Sequence, residues 1–541
     1  MAKVKADIRL KASLRRDRKY LEMLDKDSRD GSQSHDATPD QERPPTRDIV
    51  MSGASSADPD EGNNASHVEL STPASSWSGA SLPIRRPQAL AFFQDDTNDV
   101  DLHYTMIFLD SIFPYLFPYY HPFPLAGGKG WVLQSLLANR SVYHTCISIA
   151  TYFFGLLAGP AHEACNSLLN DKLQDQLEKG LRELRREMEA LRLRPVCLGN
   201  VEALTCMQSI VLMCHFEVAT GNKDNWKLHL DAAITMLLQM VPSPEHWGCV
   251  LDSFDSGQWD SVGIEKPFTS HQCALRFYTA QCLYIDAIAS ITLSRVPRLH
   301  AYQNSLTPGC SSKPVNTMRT NALFIDEYIG MHNGVLQMLS DVTALDAWRK
   351  EQRRAGSLSI HELLAKAQTV GDALKVMVAQ VEEVVAGGCE AAANAFPKPF
   401  NLLGELEPPS PDDLPGHPVH NLIWILATQT YLHLVTSGWQ PSCPEIARNQ
   451  ARMTDLFKSL SRTTALRSLA LPLCVAGCLA APEEEETYRQ IVAGMGSLRI
   501  FGTVKDALAV MEAVWAKRNE IDESWDLSKC LNILGHSTLL I

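Results

Sequence analysis

Apolar side chains recur at the 3.6-residue period in NWKLHLDAAITMLLQMV, where Trp226, Leu230, Ile234, Leu237, Leu238 and Val241 share one face. That pattern predicts an amphipathic helix docked through the apolar face. A second run, KLQDQLEKGLRELRREMEALRLRP, places Leu173, Leu177, Leu181, Leu184, Met188 and Leu191 at spacings of 4, 4, 3, 4 and 3, and Pro195 ends it. This face could be a dimer seam or could dock on its own domain, and three turns are short for a coiled coil. Further helical stretches cover about 98–120, 131–158, 200–219, 269–292, 319–350, 359–386, 417–437, 443–481 and 483–520. Alternating strand patterns are scarce, so the body is expected to be all-α. The longest apolar run, CISIATYFFGLLAGPA, stops at Gly159-Pro160, short of the roughly 18 residues a bilayer span needs, and reads as a buried helix. A soluble protein without a membrane partner is expected.

The periodicity divides the chain into three parts. Residues 28–97 are rich in Ser, Pro, Asp and Gly and poor in large apolar residues, so they are expected to be a disordered linker, with Trp77 as an isolated docking point at most. Residues 98–541 form the all-α body. Residues 1–27, opening MAKVKADIRLKASLRRDRKYLEML, are expected to be a basic helix. From Lys3 to Lys19, Lys3, Lys5, Arg9, Lys11, Arg15, Arg16, Arg18 and Lys19 face only Asp7 and Asp17, so that segment carries +6 in a chain of net charge −13. A basic head on an acidic body suits nucleic acid, an import receptor or an anionic surface; a solvated helix is the alternative. The 541 residues, 45% apolar and 21% charged, are ordinary for a globular protein. Fourteen irregularly spaced cysteines without a signal peptide imply free thiols in a reducing compartment.

Fragments that resemble catalytic motifs are incomplete. Asp95-Asp96-x-x-Asp99 has the carboxylate spacing with which class I terpene cyclases hold magnesium diphosphate, and hard cations need several such oxygens in one cavity. The second acidic element is lacking: Asn170, Asp171 and Glu178 come near it, with Gln174 where a hydroxyl belongs. These aspartates fit better as the end of the acidic linker and a helix cap. His162-Glu163 begins a zincin motif, but Asn166 replaces its second histidine. Gly127-Gly128-Lys129-Gly130 lacks the preceding strand of a phosphate cradle. Neither Cys206 with Cys214 nor Cys474 with Cys478 has the second pair a tetrahedral zinc site requires. An α-helical magnesium enzyme is therefore the weakest function class, and no catalytic, cofactor or metal residue is assigned.

A chain of motifs in order carries a resemblance: FLDSIFPYLFPYYHPFPLAGGKGWVLQSLLANRSVYHTCISIATYFF, WKLHLDAAITML, ALRFYTAQCLYIDAIASITLSRVPRL, YIGMHNGVLQMLSDVTALDAWRK, TALRSLALPLCVAGCLAAPEEEETYRQIV and FGTVKDALAVMEAVWAKR. Together they resemble the regulatory domain of fungal zinc binuclear cluster transcription factors, the fungal-specific transcription factor domain, over about residues 98–541. Leu471 stands where the pattern has Trp before Pro-Leu-Cys, and Met331-His332-Asn333 replaces the more usual Gly-Cys. Physically the motifs are packing devices, with Trp131, Trp226, Trp348 and Trp515 as apolar anchors. Family members carry a six-cysteine, two-zinc module that reads the major groove ahead of a basic linker. Here the first cysteine is Cys146, so the module is not written in this sequence. The resemblance implies zinc only if such a module precedes the chain. The end, CLNILGHSTLLI, resembles the family's natural terminus.

The expectation is a nuclear, pathway-specific regulator of RNA polymerase II transcription. Its partners would be coactivators, a homo- or heterodimer mate, and DNA held weakly or indirectly, since the basic arm can attract phosphate but cannot read bases. A non-DNA-binding protein that modulates a full-length relative is the alternative. Ile521, Trp525 and Leu527 lie among Glu520, Asp522, Glu523 and Asp526, a composition suited to an activation tail; docking of Trp525 and Leu531 on the body is the competing reading.

Overall fold

The computed structural model describes residues 99–122, 127–158, 163–192, 199–221, 225–255, 268–307, 321–386, 418–460, 463–496, 499, 501–522 and 524–541. The basic segment and the linker lie outside them. Among the described residues every regular element is helical. The aromatic opening forms α1 (Asp99–Ile107), a π turn (Phe108–Ile112) and α2 (Phe113–Leu116). Then come α3 (Gly130–Ala138), α4 (Arg140–Ala158), α5 (Glu163–Arg192), α6 (Val201–Thr220), α7 (Trp226–Met240) and α8 (Trp247–Ser253). The middle holds α9 (Ser270–Leu293), α10 (His300–Leu306), α11 (Asp326–Ile329), α12 (Asn333–Ala355) and α13 (Ile360–Ala386). The last part is α14 (Pro418–Ser437), α15 (Pro444–Ser459), a 3-10 segment (Thr463–Leu469), α16 (Ala470–Cys478), α17 (Glu485–Ala493), α18 (Val504–Ala516) and α19 (Leu527–Leu531).

Three helices form the centre and are enclosed on nearly every side, because none confines its apolar residues to one face. In α9 every residue from Gln272 to Thr292 is buried, and α6 and α14 are nearly as enclosed. By length and hydropathy α6 could cross a bilayer, but it runs through the protein core instead. Its ends match the sequence: the Asn200 side chain accepts from the Ala203 amide, and Gly221 stops the helix. At α9, Thr269 and Gln272 form a reciprocal capping box.

Several expected helices are divided. The stretch 131–158 breaks at Asn139, whose Oδ1 accepts from Val142 N at 3.0 Å while its Nδ2 reaches Thr205 O and Ser209 Oγ on α6. The stretch 319–350 breaks at Met331-His332-Asn333. There His332 Nδ1 caps Gly334 N at 3.2 Å, and Asn333 exchanges hydrogen bonds with Ile325 N and Leu323 O. The stretches 443–481 and 483–520 likewise divide, into α15, the 3-10 segment and α16, and into α17 and α18.

The leucine face of α5 docks on its own body. Leu184 and Leu191 are buried, Leu173, Leu177 and Met188 are half-buried against the core, and Leu181 stays exposed. Glu187 rides on this face, and its Oε2 accepts from Ser209 Oγ at 3.0 Å. Burial, opposed by that hydrogen bond, raises its pKa from 4.5 to about 7. The folded state therefore holds this proton more tightly than the unfolded chain between those values, and stability falls as pH rises through that window. Glu187→Gln is expected to flatten this slope and to stabilise the protein at pH 8 by about 1–2 kcal/mol, a figure lowered for partial exposure. Urea midpoints at pH 5 and pH 8 check it; equal slopes in both proteins would refute it.

Candidate functional site

The sequence motifs resolve into packing and capping contacts. Trp131 is buried and its Nε1 donates to the Tyr120 hydroxyl at 2.8 Å, with Phe277 of α9 against its ring. The preceding turn brings Gly127 so close to α9 that a Cβ there would lie 2.3 Å from Cys273 Sγ and 2.9 Å from Phe268 O, at φ +104°. Only glycine fits. The Arg295-x-Pro297 turn ends α9: Arg295 Nη2 donates to buried Asp286 at 3.2 Å, and Asp286 also accepts from Leu299 N at 2.8 Å. Trp515 Nε1 donates to Gly477 O at 2.7 Å, where α16 and α18 meet. Leu471, the departure from Trp, is itself buried, and Trp348 is half-buried with Lys366 Nζ 5.2 Å from its ring.

The catalytic look-alikes are not brought together. Asp95, Asp96 and His162 lie outside the described residues. Asn170, Asp171 and Glu178 are exposed on α5, where Glu178 pairs with Arg182 at 2.8 Å. Cys206 and Cys214 are buried along α6, and Cys474 and Cys478 stand 3.8 Å apart. Among the described residues no His, Cys, Asp or Glu group has a metal-binding arrangement. The basic residues Lys3, Lys5, Arg9, Lys11, Arg15, Arg16, Arg18 and Lys19 lie outside the described residues.

One polar constellation inside the body is unlike the rest. Arg467 projects from the 3-10 segment into the core, 7% exposed, and its Nη1 donates to the Leu116 carbonyl. The guanidinium stands 5.7 Å from the Tyr115 ring centroid, and its Nε has no hydrogen-bond partner. Half-buried Arg295 and Arg349 reach Asp286 and Asp346; Arg467 forms no ion pair with any described carboxylate. His215 of α6 is also enclosed, 5% exposed, with the Phe117 ring edge-on at 5.2 Å. Burial first, and the Arg467 charge second, hold the His215 pKa down at about 3, so this ring is neutral at physiological pH. A Gln281 hydrogen bond from α9 pulls His215 the other way, and the Arg467 charge partly offsets the rise that burial gives the Tyr284 hydroxyl. Next to Arg467, Ser468 hydrogen-bonds Tyr119 Oη at 3.2 Å and His420 Nε2 at 3.1 Å. Trp424, edge-on to Tyr284 at 6.3 Å, adds a buried indole N–H without a partner.

Sequence reasoning passed over these residues. The only signal was a lone Arg in TALRSLALPLC and a lone His in SIVLMCHFEVA, each a charged or polar residue within an apolar run.

The acidic tail lies against the body. Leu527 is buried, and Ile521 and Trp525 are half-buried on the core, with Trp525 Nε1 donating to Cys530 Sγ at 3.1 Å. Leu531 is fully buried, Lys350 Nζ pairs with Asp526 at 3.0 Å, and Thr292 Oγ1 donates to Thr538 O at 2.9 Å.

Comparison with known proteins fixes the family. The family model described as the fungal specific transcription factor domain matches residues 103–541. Transcription factor dibT of Pestalotiopsis microspora is 30% identical over 462 residues, covering 82% of this chain and 71% of its own. The pestheic acid cluster transcriptional regulator 3 of Pestalotiopsis fici is 23% identical, covering 78% of this chain and 72% of its own. The trichothecene biosynthesis transcription regulator of Trichoderma arundinaceum is 23% identical over 80% of this chain and 96% of its own. No solved structure matches. With a family model running through the whole helical body and transcription regulators matched over most of both chains, this protein belongs to the fungal specific transcription factor domain family.

Proposed function

We propose that the protein acts in the nucleus as a pathway-specific regulator of a biosynthetic gene cluster, with the helical body as its sensing and partner-binding part. The supporting observation is that relatives named as regulators of pestheic acid and trichothecene biosynthesis align through this body. The trichothecene regulator is matched over 96% of its length, so a relative of little more than this body carries the printed role of a transcription regulator. The reading gives these residues no catalytic role, and zinc would enter only with a six-cysteine module, for which the stretch before Cys146 supplies no ligands. DNA contact is left to the basic arm, whose six net charges supply salt-dependent phosphate attraction without base reading. Sequence choice would then come from outside these residues, through a preceding zinc module, a dimer mate or a coactivator complex. The tail is assigned to the body as its closing element.

Import receptors read dense positive charge on a flexible segment. Replacing Lys11, Arg15, Arg16, Arg18 and Lys19 together with Ala in a fluorescent fusion is expected to move the protein to the cytoplasm. Transcripts that depend on the gene should then fall to the level of a deletion strain. A nuclear signal that persists would remove the import assignment, and a deletion that changes no transcripts would remove the regulator reading.

A further inference from the structure

A hollow of about 690 Å³ lies where the C-terminal half of α5 meets α6 and α7, floored by Met188, Leu191, Ile210 and Met236. A second, of about 440 Å³, continues along α5 over Leu181 and Leu184 and shares Met188 and Arg192 with the first. Together they follow α5 from Leu181 to Arg192, about 16 Å or three turns of helix. A groove of that length takes a short helix whose apolar anchors recur at i, i+3 and i+7. Met188 and Met236 are half-buried, and methionine is flexible and polarizable, so the floor adapts to the side chains laid on it.

Charge at the rim selects the helix. Arg182 and Arg186, which do not line the groove, pair with Glu178 at 2.8 Å and Glu183 at 3.2 Å. Arg185 and Arg192, which do line it, are exposed and have no ion pair among the described residues. On the facing wall Asp231 is held by Arg295 at 3.5 Å and Arg298 at 3.2 Å, so among the described residues Glu189 is the one opposing carboxylate left in the groove. Two open cations against one carboxylate make the groove locally positive on a chain of net charge −13. A second copy would set this positive patch against itself, because a two-fold interface pairs one surface with the same surface. We propose that the groove docks an acidic amphipathic helix of a different protein, its apolar stripe on the methionine floor and two carboxylates, about seven residues apart, on Arg185 and Arg192. The proposal deepens the reading of the body as a partner-binding part; peptide binding and transcripts are measured separately, so either can fail alone.

The probe is a stapled synthetic helix of about 16 residues, with leucine at i, i+3, i+7 and i+10 and glutamate flanking that stripe. Its binding to the full chain is read by fluorescence anisotropy at about 150 mM salt, where distant charges are screened. Two control helices are read beside it, one with lysine for each glutamate and one with the stripe scrambled. Saturable binding of the acidic helix is expected, with both controls at least about tenfold weaker. Arg185→Glu with Arg192→Glu, both at exposed positions, should weaken the acidic helix at least about tenfold and strengthen the lysine helix, an exchange that a merely structural role would not produce. Arg182→Glu with Arg186→Glu should change neither affinity by more than about twofold. The proposal is overturned if the acidic helix shows no saturable binding, if the lysine helix binds equally, or if the Arg182 and Arg186 pair matters as much as the groove pair. Sedimentation showing a dimer that Leu181→Asp dissolves would also overturn it, by giving the groove to a second copy.

Discussion

Trp226→Ala is expected to destabilise the domain by about 3–5 kcal/mol, a large share of the 5–15 kcal/mol typical of a folded protein. Trp226 opens α7, is 1% exposed, and packs beside α6, where Cys214 Sγ lies 3.8 Å from its carbonyl. Its Nε1 donates to Ser537 O at 3.2 Å, so the ring also fixes the C-terminal segment against the body. Truncation removes the buried indole and leaves the Ser537 carbonyl without its donor. Trp226→Phe keeps most of the apolar volume and is expected to cost about 1–2 kcal/mol. Urea denaturation followed by circular dichroism orders the two variants. Equal midpoints for wild type and Trp226→Ala would show that the indole carries no weight.

Leu531→Ala is expected to cost about 2–5 kcal/mol, because the side chain is completely enclosed beside Leu527 and Cys530. The same measurement addresses the tail's role. Trp525→Ala should cost less, about 1 kcal/mol, since the ring is half-buried and its polar contact is a single N–H to sulfur. A tethered fragment of residues 517–541 is expected to be silent in a reporter assay. Strong activation by that fragment, together with an unchanged midpoint for Leu531→Ala, would make the tail an activation element and not part of the core.

Helix class and most helix positions were legible because apolar periodicity and local caps act over a few residues. The span 200–219 became Val201–Thr220 since Asn200 and Gly221 bound it. The divisions at Asn139 and His332-Asn333 were not legible: the Asn139 amide reaches α6 and the Asn333 side chain reaches Ile325 and Leu323, partners that only folding supplies. The short α8 and α10 lacked enough turns for a periodic signal.

By itself the sequence determined the all-α class, the order of packing motifs and the family they indicate, since each rests on short-range spacing. Tertiary structure alone decided that the leucine face of α5 covers its own domain and that Leu527 turns inward. It alone also enclosed Arg467 against Leu116 O and Tyr115 without a described carboxylate. Burial, charge compensation and the partners of a polar group are properties of neighbours distant in sequence, and they exist only once α6, α9 and the 3-10 segment have packed together.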